Sequence, residues 1–258
     1  MLCGIDEAGR GPLAGPVCAA AVVLPGDFPI GLLDDSKKLK AKQREEARDV
    51  IIEKAIAWGV AWATHIEIDS INILRASLLA MRRAFEYLLT PKSEARQWPA
   101  SLEKEIAFGL PFPNAGIPVG LEAVVDGKHI PKLSVPCKAV VKADATVHEV
   151  MAASILAKTA RDQLMDYYSK LYPQYGYERH KGYPTAEHRK LVLEFGPSPI
   201  QRKSFKVQIL TTADTRSEET AARDSPTPIS DSLVGILSGI GDIDLDEIRM
   251  ERLAKHLK

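Results

Sequence analysis

Cysteine is scarce and scattered. Cys3, Cys18 and Cys137 are the three in 258 residues, and no CxxC pair exists. This excludes a disulfide framework and a thiolate zinc site. It fits a reducing cytoplasm, where an isolated cysteine serves as a small buried apolar residue. No apolar run approaches the ~20 residues that cross a bilayer, and Asp6 and Glu7 come too early for the apolar core of a secretory leader. Neither HExxH nor GxxxxGK[ST] occurs, which removes the common zinc hydrolase and P-loop readings. Net charge is missing too, since 34 Lys+Arg balance 34 Asp+Glu. The balance is uneven along the chain, however. Residues 209–258 hold six basic against ten acidic side chains, leaving 28 against 24 in residues 1–208. A mildly basic body with an acidic tail leaves nucleic acid open as a partner.

What is present begins with residues 1–12. An apolar start with Leu2 and Ile5 runs into the adjacent carboxylates Asp6 and Glu7, then into Gly9-Arg10-Gly11-Pro12. An acidic pair closing a buried strand is costly unless positive charge meets it. A divalent cation with oxygen ligands is the natural candidate. Glycines on both sides of Arg10 let backbone approach a ligand closely, because no Cβ intervenes. A dinucleotide fingerprint on Gly9, Gly11 and Gly15 fails: the third glycine falls one place late, and Pro16 interrupts the helix that should follow.

Residues 2–6 and 16–24 read as an antiparallel strand pair, 41–57 as a helix and 58–64 as a strand. Asp69 and Ser70 are able N-caps for a long helix with Ile71, Leu74, Leu78, Met81, Phe85 and Leu88 on one stripe. Residues 89–120 are broken by Pro91, Pro99, Pro111, Pro113 and Pro118, and are expected to form a surface insertion with one short helix near 102–108. Short strands at 121–125 and 139–141 lead into Asp126 and Asp144. Thr146 and Glu149 fit a capping box for a helix reaching about residue 171, and a further short helix follows residue 185. The stretch 209–230 is nearly devoid of apolar side chains and reads as a flexible linker. Residues 231–258 regain helical spacing. The expected organisation is a catalytic domain over 1–208, a linker over 209–230 and an amphipathic helical tail over 231–258.

Asp6, Glu7, Asp126 and Asp144 all fall where a strand ends or a helix begins. If those strands are neighbours, the carboxylates converge and repel, and Mg²⁺ or Mn²⁺ would relieve the repulsion. Two such ions ~4 Å apart would also clamp the oxygens of a phosphodiester under hydrolysis. Taken singly, each acid also has a plain structural reading: Asp126 before Gly127 is a common turn pair, and Asp144 is able to cap a helix. Lys37 with Lys38, Lys142, Arg179 with Lys181, and Arg202 with Lys203 are candidates for phosphate contact. Tyr183, within Gly182-Tyr183-Pro184, suits either sugar or base contact or plain packing.

Six segments occur in order: Asp6-Glu7-Ala8-Gly9-Arg10-Gly11-Pro12, Asp35-Ser36-Lys37-Lys38-Leu39, Asn72-Ile73-Leu74-Arg75-Ala76-Ser77, Asp126-Gly127-Lys128, Lys142-Ala143-Asp144-Ala145 and His180-Lys181-Gly182-Tyr183-Pro184-Thr185. Together they closely resemble bacterial ribonuclease HII. The resemblance implies an RNase H-like fold, a mixed five-stranded sheet flanked by helices, here with a C-terminal helical extension. It implies a metal-dependent endonuclease that cuts the RNA strand of RNA–DNA hybrids. It also implies nicking 5′ of a single ribonucleotide in duplex DNA, leaving 3′-hydroxyl and 5′-phosphate ends. The implied metal-binding and catalytic acids are Asp6, Glu7, Asp126 and Asp144. Gly9, Arg10, Gly11 and Tyr183 would read the ribose and its junction, and Ser36, Lys37, Lys142 and Lys181 the backbone. A monomeric catalytic domain with two Mg²⁺ or Mn²⁺ ions is expected. The alternatives are ribonuclease HIII, which normally carries an added N-terminal domain, and another nuclease of the same superfamily.

Overall fold

A computed structural model describes residues 1–34, 36, 38–90, 107–113 and 116–206. The expected linker and helical tail, the 102–106 part of the expected short helix, and Lys37 lie outside the described residues.

The centre of the sheet is built from the most apolar stretches of the chain. Leu2–Ala8 forms β1 and Val17–Val23 forms β2, the latter buried at every position. They pair antiparallel, with Asp6 opposite Ala20. Ala57–Ala63 (β3) joins β2 antiparallel, and Ala107–Leu110 (β4) joins β3 the same way. On the other side of β1 lie Glu122–Asp126 (β5) and Cys137–Val140 (β6), both parallel to their neighbours. The order is β4-β3-β2-β1-β5-β6.

The mixed sheet is as expected, but among the described residues it has six strands rather than five. The sixth is β4, which arises from the segment expected to be a surface insertion. Where the short helix was expected to end, residues 107 and 108 are strand. The physical reason is aromatic. Phe108 packs edge-on to Trp58, centroids 6.0 Å apart, and lies 5.7 Å from Trp62, which anchors the edge strand to β3. The prolines that hid the period flank β4 instead of interrupting it, as an edge strand allows.

Helices cover both faces. Ala41–Lys54 (α1) and His148–Leu171 (α4) pack on one face through Ala47, Ile51, Ile155, Leu156 and Leu164 against Cys18, Ala20, Val22 and Val60. His65–Ile71 (α2) and Ile73–Leu88 (α3) cover the other, where Ala76, Ala80, Met81, Ala84 and Phe85 meet Ile5, Val17, Ala19 and Ala61. Tyr177–His180 (α5) and Ala186–Phe195 (α6) close the chain order.

Two capping expectations are corrected. The long helix does not start at Asp69 or Ser70; it is two helices divided at Asn72, whose φ of 70° breaks the helical path. Thr64 caps α2 and Asn72 caps α3, each through its side-chain oxygen. Asp69, inside α2, instead accepts from the backbone N–H groups of Lys203 and Ser204 at 2.9 and 2.8 Å. Thr146 forms no capping box either. Its hydroxyl donates to the Lys142 carbonyl, and α4 starts without a side-chain cap.

The start of α4 is held by close contact. A Cβ on Gly4 would lie 2.1 Å from the Glu149 carbonyl carbon, so α4 sits directly on the β1 backbone. Gly4→Ala should therefore cost about 1–3 kcal/mol by overpacking, read as a lower melting temperature. An unchanged melting temperature would contradict this approach of helix to strand.

Candidate active site

β1 and β5 are parallel neighbours, with Ile5 paired to Val125. Asp6 and Asp126 each come one residue later, so they occupy equivalent positions at the same end of adjacent strands. The Asp126 Oδ1 accepts from the Ala143 N–H at 2.8 Å. That bond ties the end of β5 to the 3-10 turn Ala143–Ala145, which carries the buried Asp144. Glu7 follows Asp6 on β1. All four acids line one cleft of about 220 Å³. Gly9, Arg10, Gly11, Ser36 and Tyr183 line the same cleft.

Charge in the cleft is poorly balanced. The Asp6 carboxyl is held well above the usual carboxylate range, first by burial, then by repulsion from Glu7 and Asp126. Hydrogen bonds from the Ser154 hydroxyl and the Glu7 N–H offset this only in part. Glu7 is also raised, by burial first; Arg10, whose Nη1 donates to Glu7 Oε1 at 3.1 Å, opposes the shift, and Asp126 adds to it. An all-oxygen donor set short of positive charge fits a hard divalent cation. Among the described residues, no three ligating side chains are gathered as a closed coordination set. Asp6 and Asp126 each spend an oxygen on a backbone N–H, and Glu7 spends one on Arg10.

The glycine loop is held from behind by two buried arginines. Arg202 donates to the carbonyls of Gly9, Arg10, Gly15 and Pro16 at 2.6–3.1 Å. Arg161 donates to the carbonyls of Ala14, Pro16 and Lys181 at 3.0–3.2 Å. Gly9 has φ +97°, and a Cβ there would fall 2.0 Å from the Arg161 Nε. Glycine is thus required by backbone conformation and by contact together. Arg202 corrects a sequence expectation: it is fully buried and occupied by carbonyls, so it is no phosphate contact. Arg179 is exposed and pairs with Glu178 and Glu187.

Tyr183 stands on a rigid turn. Lys181 and Gly182 adopt positive φ of 50° and 81°. The Tyr183 N–H donates to the His180 carbonyl, and the Gly182 carbonyl accepts from the Leu13 N–H, both at 2.8 Å. His188 Nδ1 lies 2.9 Å from the Tyr183 carbonyl, a bond that needs the proton on Nδ1. The His180 and His188 rings stack at 4.4 Å. Arg161 lies 5.7 Å from the Tyr183 ring centroid, so one guanidinium touches the glycine-loop side and the tyrosine side of the cleft.

Other expected residues fall elsewhere. Lys142 (exposed, φ 62°) and Lys181 (paired with Asp166) do not line the cleft. Ser154 and Lys158 do line it, and neither stands out in the sequence. Their only signal is a spacing of four on an alanine-rich helix start.

A family model for Ribonuclease HII matches residues 3–95 and 122–208. The chain belongs to the ribonuclease HII family. Ribonuclease HII from Treponema denticola is 51% identical over 213 residues, covering 81% of this chain and all of that protein. The Dechloromonas aromatica ribonuclease HII is 47% identical, covering 80% of this chain and 90% of its own length. The homologues are metal-dependent endonucleases of ribonuclease H type 2. Among solved structures, ribonuclease H2 from Pyrococcus horikoshii superposes with a TM-score of 0.55 at 24% identity, over 87% of this chain and 99% of that one. The ribonuclease HII of the PCNA complex from Archaeoglobus fulgidus gives 0.57 at 23%, over 83% of this chain and 99% of that one. These likenesses show the shared RNase H-like fold. The gap in the family match, 96–121, contains β4.

The histidine stack should make this protein acid-sensitive. Burial, assisted by His180, lowers His188 from 6.5 to about 4. Between those values the unfolded chain binds the additional proton. The stability from neutral His188 is therefore complete above about pH 6.5 and is lost as pH falls toward 4, by roughly 3 kcal/mol. In urea melts, the stability gap between wild type and His188→Gln should narrow between pH 7 and pH 4.5. A constant gap would contradict a neutral buried ring.

Proposed function

We propose that this protein hydrolyses the RNA strand of RNA–DNA hybrids and nicks duplex DNA 5′ of a lone ribonucleotide, leaving 3′-hydroxyl and 5′-phosphate ends. The observation that carries this reading is the shared cleft of Asp6, Glu7, Asp126 and Asp144, with Gly9-Arg10-Gly11 and Tyr183 on its wall.

Asp6, Glu7, Asp126 and Asp144 would hold two divalent ions, Mg²⁺ or Mn²⁺. When bound, such ions supply Lewis acidity and an activated water for phosphodiester hydrolysis. The chain's own residues do the rest. The acids set charge and position. Ser154 holds the Asp6 carboxylate, and Arg10 restrains Glu7. Arg202 takes up the carbonyls of Gly9 and Arg10, which leaves the amide side of that loop for a sugar hydroxyl. Telling RNA from DNA at one residue means reading one 2′-hydroxyl. A loop donor left without that partner costs ~1–3 kcal/mol, so a rigid loop with a phenol beside it discriminates well. Ser36 sits in the cleft wall, hydrogen-bonded to Ser154 at 2.9 Å. Lys142 and Lys181, on turns next to Asp144 and Tyr183, suit flanking phosphates, as does Lys37. Such contacts add salt-sensitive affinity without sequence choice. No helix among the described residues is long and apolar enough to cross a membrane. We assign the work to the cytoplasm, with residues 1–208 acting as a monomer.

The test is a duplex DNA carrying one ribonucleotide, incubated with Mg²⁺. A single nick on its 5′ side is expected, abolished by EDTA and reduced by several orders of magnitude in Asp126→Asn. Cleavage of a continuous hybrid without a nick at the lone ribonucleotide would favour a ribonuclease HIII-like or other superfamily activity instead. Full activity of Asp126→Asn would overturn the site.

A further inference from the structure

α4 and β1 run side by side with matched repeats. Four helical residues advance ~6 Å, and two strand residues advance ~6.6 Å. The backbone at Val150 lies on Gly4, and one helical turn further Ser154 lines the cleft beside Asp6, whose charged form its hydroxyl favours. One more turn brings Lys158 to the level where β1 gives way to the glycine loop. Lys158 lines the cleft there, with its side chain about a quarter exposed at 23%.

The ammonium of Lys158 donates to Asp162 Oδ1 at 2.6 Å. The other Asp162 oxygen lies 3.7 Å from Arg44 Nη2. Arg44 in turn donates from Nη1 to the Ser36 and Leu39 carbonyls at 3.1 and 2.5 Å. One carboxylate therefore serves two cations, so among the described residues Lys158, Arg44 and Asp162 leave an excess of positive charge beside the hydroxyls of Ser36 and Ser154. The opposite side of the cleft is acidic. Among the described residues, Arg10 is the other cation lining the cleft, and it is committed to Glu7.

We propose that Lys158 contacts a phosphate of the cleaved strand, with Asp162 as the positioning residue that holds the ammonium in the cleft. The inference rests on the nuclease reading above. A solvated i,i+4 helix pair contributes little and has no need of a place in a cleft. Here the pair is partly desolvated, and burial lowers the Lys158 pKa against the pull of Asp162. A compact ammonium is a suitable point donor for a phosphate oxygen. It also supplies positive charge where a phosphodiester must pass a wall of carboxylates.

The test is a neutral-linkage scan. A duplex with one ribonucleotide is made with a single methylphosphonate at each position around the cut, and kcat/KM is measured for wild type, Lys158→Gln and Lys158→Arg. Lys158→Gln should lose about 10- to 100-fold on the all-phosphate substrate, and Lys158→Arg should recover part of it. At one linkage the methylphosphonate should slow wild type but leave Lys158→Gln unaffected, because the contact is already missing. Should Lys158→Gln melt too low to assay, Lys158→Gln/Asp162→Asn removes both charges and serves in its place. A uniform loss at every linkage, or no loss at all, overturns the proposal while leaving the nuclease reading intact. Failure of wild type to cut the all-phosphate duplex overturns both.

Discussion

The structure turns on carboxylates crowded at one end of two parallel strands, Asp6 buried and Asp126 half-buried. Asp6 and Asp126 stand at equivalent positions on β1 and β5, and Asp126 draws Asp144 in through the Ala143 amide. Burial and mutual repulsion raise Asp6 and Glu7 together. A hydrophobic sheet would not keep such a cluster for its own stability, because each buried charge is costly without a partner. Hard cations entering the cluster would offset that cost, which suits these residues to the metal-dependent chemistry proposed for this member of the ribonuclease HII family.

Around that cluster the chain spends its buried polar groups on rigidity. Arg161 and Arg202 meet backbone carbonyls, not carboxylates, and so fix the course of residues 9–16 from behind. Asp69 holds the backbone of Lys203 and Ser204, immediately beyond Arg202. The His180–His188 stack does the same for the turn that carries Tyr183. The proposed reading of one sugar hydroxyl would need such preorganisation, since a loose loop would bend to accept a deoxyribose as well.

Much of this was legible in the sequence. Adjacent acids closing an apolar strand, a glycine pair around Arg10, and acids directly after two further apolar runs are local patterns, and local patterns survive in one dimension. What was hidden depends on tertiary contact. Arg202 looked like surface charge, because nothing local marks an arginine destined for a cage of carbonyls. The edge strand β4 was masked by its prolines and is held by Phe108 against two tryptophans far away in sequence. Asn72 divides two helices through a positive φ that an unbroken hydrophobic stripe does not reveal. Ser154 and Lys158 were lost in an alanine-rich run, and only the packing of α4 along β1 gives their spacing a meaning.

The central claim is that the cluster exists to bind cations, and direct imaging of those cations tests it best. Crystals soaked in Mn²⁺ should show anomalous density in the cleft for two ions, with Asp6 and Asp126 among the shared ligands. Density elsewhere, or a cleft without metal at saturating Mn²⁺, would contradict the account.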